Sequence, residues 1–232
     1  MRRGALAGRW IRSAWGAAGA ALVLTTSAPA RAQGAGDGVY GRFEGDLELR
    51  GHLGAAFAGG GPALAAQLTA VYLSTAGVYV HYTDAAGSDR PAVTRSISAG
   101  VHLQPLFLAR GGINAERGPA FVDLLIDSFA FELGAVWTAT RPPSPGPPPG
   151  PQASWDDHPG LEAALAIGLP LFARATGPYV GLRGALRWRP VDFVAGGPPT
   201  SIVDRGAVLS LTLGWHQVLR AHLVDSGDRV IR

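Results

Sequence analysis

From Arg42 to Ala58 the chain alternates. Phe43, Leu47, Leu49, Leu53, Ala55 and Phe57 take the odd positions, while Arg42, Glu44, Asp46, Glu48, Arg50 and His52 take the even ones. A period of two is the signature of a β-strand with one apolar and one polar face. The pattern recurs: Val78, Val80 and Tyr82 alternate with Tyr79, His81 and Thr83, and Ile97, Ala99, Val101 and Leu103 with Ser96, Ser98, His102 and Gln104. It continues with Leu161, Leu165, Ile167 and Leu169 against Glu162. Val180, Leu182, Leu186 and Trp188 then stand against Tyr179, Arg183, Arg187 and Arg189. Last come Leu209, Leu211, Leu213 and Trp215 against Ser210, Thr212 and His216. A weaker strand, Leu64 to Leu73, sets Leu64, Leu68 and Tyr72 against Gln67 and Thr69.

The segment Phe121–Trp137 breaks the rule. Phe129, Phe131, Leu133, Ala135 and Trp137 are apolar and Glu132 faces away, but the same parity carried backward puts Asp127 and Asp123 on the apolar face. Either the strand begins near Ser128, or a β-bulge swaps the faces there, and the bulge is the preferred reading. Eight strands result, so the predicted fold class is all-β: an eight-stranded antiparallel up-and-down transmembrane β-barrel.

Connections between strands bear on that choice. With the N-terminus periplasmic, the outer loops are 59–62, 84–92, 138–159 and 190–204, and the inner turns are 74–77, 105–120 and 173–178. Membrane barrels keep one rim short and the other long; three of the four outer loops are long and two of the three inner turns are short, with 105–120 as the exception. The loop 138–159 carries seven of the 18 prolines between Arg141 and Pro151 and reads as an extended, solvated excursion or a ligand for a partner. Tyr72, Tyr82, Trp137, Trp188 and Trp215 lie near strand ends on the apolar face, where a girdle at the lipid–water boundary places aromatic rings.

The N-terminus sets the address. Arg2, Arg3, Arg9 and Arg12 precede and flank a short apolar run, Ala14–Leu24, and Ala30-Arg31-Ala32 follows. These are the parts of a secretory signal peptide cut after Ala32, leaving 33–232 as a single barrel domain. Removal of residues 1–32 takes five of the 20 arginines and none of the 17 acidic residues, a mature net charge of −2. The basic pI then gives no case for nucleic-acid binding. Cysteine is absent, which excludes disulfides, thiolate metal sites and cysteine nucleophiles.

On this parity Glu44, Asp46, Glu48, Arg50, His52, His102, Glu132, Glu162, Arg183 and Arg187 point into the lumen as ion-pair candidates. Eight strands enclose only enough space for side chains, so these charges must pair. No catalytic, metal or cofactor site is assigned. His52, His81, His102 and His216 share the polar parity without ligand spacing, and Asp156-Asp157-His158 reads as a solvated acidic loop.

In this pattern the chain resembles the small outer-membrane β-barrels of Gram-negative bacteria, of the outer-membrane protein A-like type. The resemblance implies a structural or interaction role with at most a narrow pore, outer-membrane lipid and the barrel assembly machinery as partners, and no cofactor. Members commonly end on an aromatic residue read by that machinery. This chain runs on past Trp215 to Arg232, so its insertion signal would be internal. Two alternatives are an outer-membrane lipid-modifying enzyme, for which His81-Tyr82-Thr83 is a poor match to a His-x-Ser pair, and a soluble periplasmic lipocalin-like barrel with its apolar face inside.

Overall fold

A computed structural model describes residues 40, 42, 45–58, 61–85, 93–112, 119–140, 154–188 and 206–221. The signal-peptide segment, Glu44 and the prolines between 141 and 151 lie outside the described residues.

The elements are β1 (Leu47–Ala58), β2 (Gly61–Tyr72), β3 (Ala76–Asp84), β4 (Val93–Leu103), α1 (Pro105–Gly112), α2 (Ala120–Asp127), β5 (Ala130–Thr140), β6 (Ser154–Trp155), β7 (Gly160–Pro170), β8 (Gly177–Trp188) and β9 (Val208–Leu219). Each long strand pairs antiparallel with its neighbour, in the circular order β1-β2-β3-β4-β5-β7-β8-β9. β1 then meets β9 over its whole length, from Leu47 opposite Leu219 to Ala58 opposite Val208. The sheet thereby closes on itself, the arrangement that lets strands cross a medium without water. β6 is a two-residue rung on Ala139 and Thr140 of β5, along the edge that β7 takes from Val136 onward.

The sides are settled by exposure. Leu49, Val101 and Leu211 are 42%, 47% and 52% exposed, whereas Glu48, His102 and Thr212 are 6%, 3% and 8% exposed. Leucines or valines of every long strand share the first condition, and most of the buried side chains are polar or charged, glutamate, arginine, histidine, serine and threonine among them. A water-soluble barrel has the opposite polarity, so the lipocalin-like alternative is overturned. The molecule is an eight-stranded antiparallel up-and-down barrel of the transmembrane kind.

Two expectations need correction. β1 begins at Leu47, and Arg42 is buried beyond its start. No bulge lies in Phe121–Trp137: α2 occupies Ala120–Asp127 and β5 starts at Ala130. Asp123 and Asp127, four residues apart, lie one above the other on a helix, and both point inward. Pro119 at the N-cap fixes the entry, Asp123 in the first turn faces the positive end of the helix dipole, and Ser128 ends the helix. The long inner connection 105–120 is accounted for by α1 and the start of α2. The other inner connections are tight: Tyr72–Thr75 is a type I′ turn with Leu73 and Ser74 at φ 47° and 52°, closed by Thr75 N donating to Tyr72 O at 3.0 Å.

Candidate functional site

The candidate site is the lumen itself, because alternation delivers its polar residues there from all eight strands. Its centre is a chain of charge-assisted hydrogen bonds. Glu162 accepts from Arg187 Nε at 2.6 Å, from Arg183 Nη2 at 2.5 Å and from the Tyr79 hydroxyl at 3.2 Å. Glu132 accepts from Arg183 Nε at 2.6 Å and Gln67 Nε2 at 2.8 Å, and its Oε1 lies 2.9 Å from His102 Nδ1. Arg187 goes on to Ser96 at 2.8 Å, and Ser96 to Thr83 at 2.5 Å. In the other direction Arg50 lies 3.4 Å from His102, donates to Glu48 at 2.6 Å and to Gln104 at 2.9 Å.

Three glutamates thus face three arginines. Charges taken out of water are tolerated when each is both paired and hydrogen-bonded, and here every carboxylate has at least one arginine. Salt bridges of this kind define the barrel's register more than they stabilise it, since a one-residue slip of any strand would turn its charges to the outside.

A second group lies toward the helical rim. His216 Nδ1 is 3.2 Å from Glu48 Oε1, and its Nε2 is 2.8 Å from His52 Nε2; His52 Nδ1 in turn is 3.5 Å from the Thr212 hydroxyl. Tyr179 stacks on the His216 ring, centroids 3.7 Å apart and 8° from parallel. Glycines make room for these rings. A Cβ on Gly214 would lie 2.5 Å from His52 Cγ, and one on Gly181 3.2 Å from His52 Nδ1. Beside them is a cavity of about 40 Å³, lined in part by Arg50, His52, Gln67, His102, Arg183 and His216. At roughly 10–15 Å³ of such volume per molecule, it admits a few waters and no solute.

The helical rim is closed by a third group. Arg42 donates to Asp127 at 2.7 Å and lies 4.7 Å from the Phe107 ring centroid. Arg110 bridges Asp123 and Asp127, the latter at 2.8 Å, and the Tyr40 hydroxyl donates to Asp123 at 2.9 Å. A cavity of about 20 Å³ separates this plug from Glu48 and Arg50.

The structure thus places Glu48, Arg50, His102, Glu132, Glu162, Arg183 and Arg187 in one lumen network, with His52 attached through His216. Asp46 sits at the rim, where its carboxylate accepts from Ala221 N at 2.6 Å. Asp156 is held by the Thr138 hydroxyl and by its own amide donating to Thr138 O at 2.9 Å, so it ties β6 to β5. His81 is buried in the lumen, 3.4 Å from Ser210. Among the described residues, no three His, Asp or Glu side chains converge to hold a metal. Sequence reasoning did not assign Arg42, Gln104, Arg110, Asp123 and Asp127 to the site. For the two aspartates the signal was their helical spacing, present in the sequence but read as a fault in a strand.

No protein-family model and no curated protein matches the chain. Solved structures similar to it include the attachment invasion locus protein Ail of Yersinia pestis, in complex with the heparin analogue sucrose octasulfate. That match has 11% identity and a TM-score of 0.31, over 74% of this chain and 97% of that one. Another is the outer membrane enzyme PagL, with 15% identity and a TM-score of 0.29, over 74% and 99% respectively. The functional reading rests on the geometry above.

Proposed function

We propose that the protein is an integral barrel of a bacterial outer membrane with a structural or interaction role, its interior a sealed strut and its long loops the surface offered to partners. The observation that carries this is the inversion of polarity: a continuous apolar exterior around a buried, neutral set of ion pairs. An apolar surface of that extent on a protein in water would exceed the few hundred Å² that monomers expose. Against lipid it is satisfied. The strands of 9 to 12 residues match the 9–11 that cross a hydrocarbon core of about 30 Å at a tilt.

A filled lumen leaves at most a narrow path for solutes. The cavities have room for no more than a few waters, and any ion crossing the barrel would have to displace Arg183 from two glutamates, so passage of solutes is at most narrow and slow. A catalytic role on lipid finds little support, because His81, the residue nearest to a known pattern, is turned away from the acyl chains. In this reading the outer-membrane lipid and the barrel assembly machinery are the partners, and no cofactor takes part.

The test is fractionation with a heat-modifiability gel. Protein recovered in the detergent-solubilised envelope, with a mobility that changes on boiling, is the expected result; recovery in osmotic-shock fluid refutes the proposal. Purified barrel added to a planar bilayer is expected to leave its conductance unchanged.

A further inference from the structure

The wall of the barrel has a gap, and α2 fills it. β5 pairs with β7 only from Val136 opposite Gly160 to Ala130 opposite Ala166, yet β7 runs on to Pro170. Among the described residues, no strand lies on the β5 side of Ile167–Pro170. There the end of α2 takes the place of the ladder: the Ser128 hydroxyl lies 2.7 Å from Gly168 O and accepts from Gly168 N at 2.9 Å. One side chain thereby satisfies both backbone groups that a strand would have paired.

The faces of α2 are reversed relative to a helix packed on a protein core. Asp123, Leu124 and Asp127 are buried toward the barrel, and Phe121, Val122 and Ile126 are exposed. With the acids joined to Arg42 and Arg110 in the lumen, the helix repeats in a period of 3.6 what the strands do in a period of two. Its outward face is also continuous with theirs. Phe131 on β5, Leu169 on β7, and Leu171 and Phe172 in the following turn are exposed on either side of it.

We propose that α2 is a stave of the membrane wall, and that Phe121, Val122 and Ile126, with Phe172, contact the acyl chains of the leaflet at the helical rim. The inference rests on the membrane reading and adds to it a site at which lipid meets helix. Eight residues of α-helix span on the order of 12 Å. Four strand residues rise about 13 Å, so α2 is long enough to cover the stretch Ile167–Pro170 that β5 leaves unpaired, and the apolar belt continues through the β5–β7 sector.

The chain has no cysteine, so single cysteines can be introduced and labelled with the environment-sensitive dye NBD: Val122→Cys, Ile126→Cys and Phe172→Cys, with Leu211→Cys as the belt control and His158→Cys as the aqueous control. Each position is exposed, and folding is checked by heat-modifiability. The full-length barrels are refolded into phosphatidylcholine vesicles with doxyl groups on the acyl chains. Labels at 122, 126 and 172 are expected to be quenched to within about twofold of the label at 211, with blue-shifted emission, while 158 is quenched by aqueous iodide. Quenching at 211 but not at 122 and 126, with iodide reaching the latter two, overturns the proposal. Shielding of 122 and 126 from both quenchers also overturns it, because protein and not lipid then covers the helix. If 211 itself is silent to doxyl, it is the membrane reading that fails.

Discussion

Glu162 faces two arginines in the lumen, and its replacement by glutamine is the sharpest test of a sealed interior. Glu162→Gln keeps the shape and one acceptor oxygen, but it removes the charge that faces two guanidinium groups at 2.5 and 2.6 Å. Arg183 retains Glu132 at 2.6 Å; Arg187 retains only the neutral Ser96 at 2.8 Å. One arginine is thus left as an uncompensated buried cation, which costs about 3–5 kcal/mol when its partner is removed. At 1.4 kcal/mol per factor of ten, the folded population relative to unfolded falls by roughly two to four orders of magnitude. Urea unfolding of the barrel in phospholipid vesicles, followed by tryptophan emission, measures the change. The double variant Glu162→Gln, Arg187→Gln removes the stranded charge and should recover part of the loss, with a coupling of about 0.5–3 kcal/mol. A single-variant loss below about 1 kcal/mol would refute the reasoning, since that is the behaviour of a pair in water and would mean the lumen is hydrated throughout.

Leu211→Arg sets a charge on the outer face near the middle of β9 and should lower stability in vesicles by about 2–4 kcal/mol, whereas the same exchange on a water-facing surface would be near neutral; equal stability would place that face in water. Gly214→Ala drives a Cβ into the His52 ring and should destabilise by about 1–3 kcal/mol in the same unfolding assay. Leu73→Asn with Ser74→Gly suits the left-handed backbone of the β2–β3 turn and should raise stability by about 1 kcal/mol. Ser128→Ala unpairs two buried backbone groups of Gly168 and should cost about 1–3 kcal/mol, seen first as faster amide exchange at the β7 end.

How much of this was legible depends on where the chain's period was pure. The stretches Ser96–Leu103 of β4 and Leu209–His216 of β9 alternate cleanly, so Val101 and His102, or Leu211 and Thr212, could be assigned to opposite faces from the sequence alone. What a period of two cannot say is which face meets water, and the choice of lipid outside came from strand number and loop lengths. α2 was missed because eight residues with apolar positions at 121, 122, 124, 125 and 126 also look like an imperfect strand. The difference between the two lay in Asp123 and Asp127, whose spacing of four is a helical coincidence of face and whose destination is the lumen. Arg42 and Arg110 became readable as their partners only in three dimensions, since 85 and 17 residues separate them from Asp127. The pairing of His52 with His216, 164 residues apart, likewise follows from closure of β1 on β9, which fixes register but is written in no local signal.

That closure has a consequence for how the protein is made. Until the final hairpin joins the first strand, Glu48 lacks its imidazole from β9, His52 lacks its mate, and the seam exposes two rows of bare amides and carbonyls to the bilayer. A ring seven-eighths complete is therefore a poor intermediate, and insertion should look all-or-none: the last strand to arrive is also the one that completes the hydrogen bonds of the first.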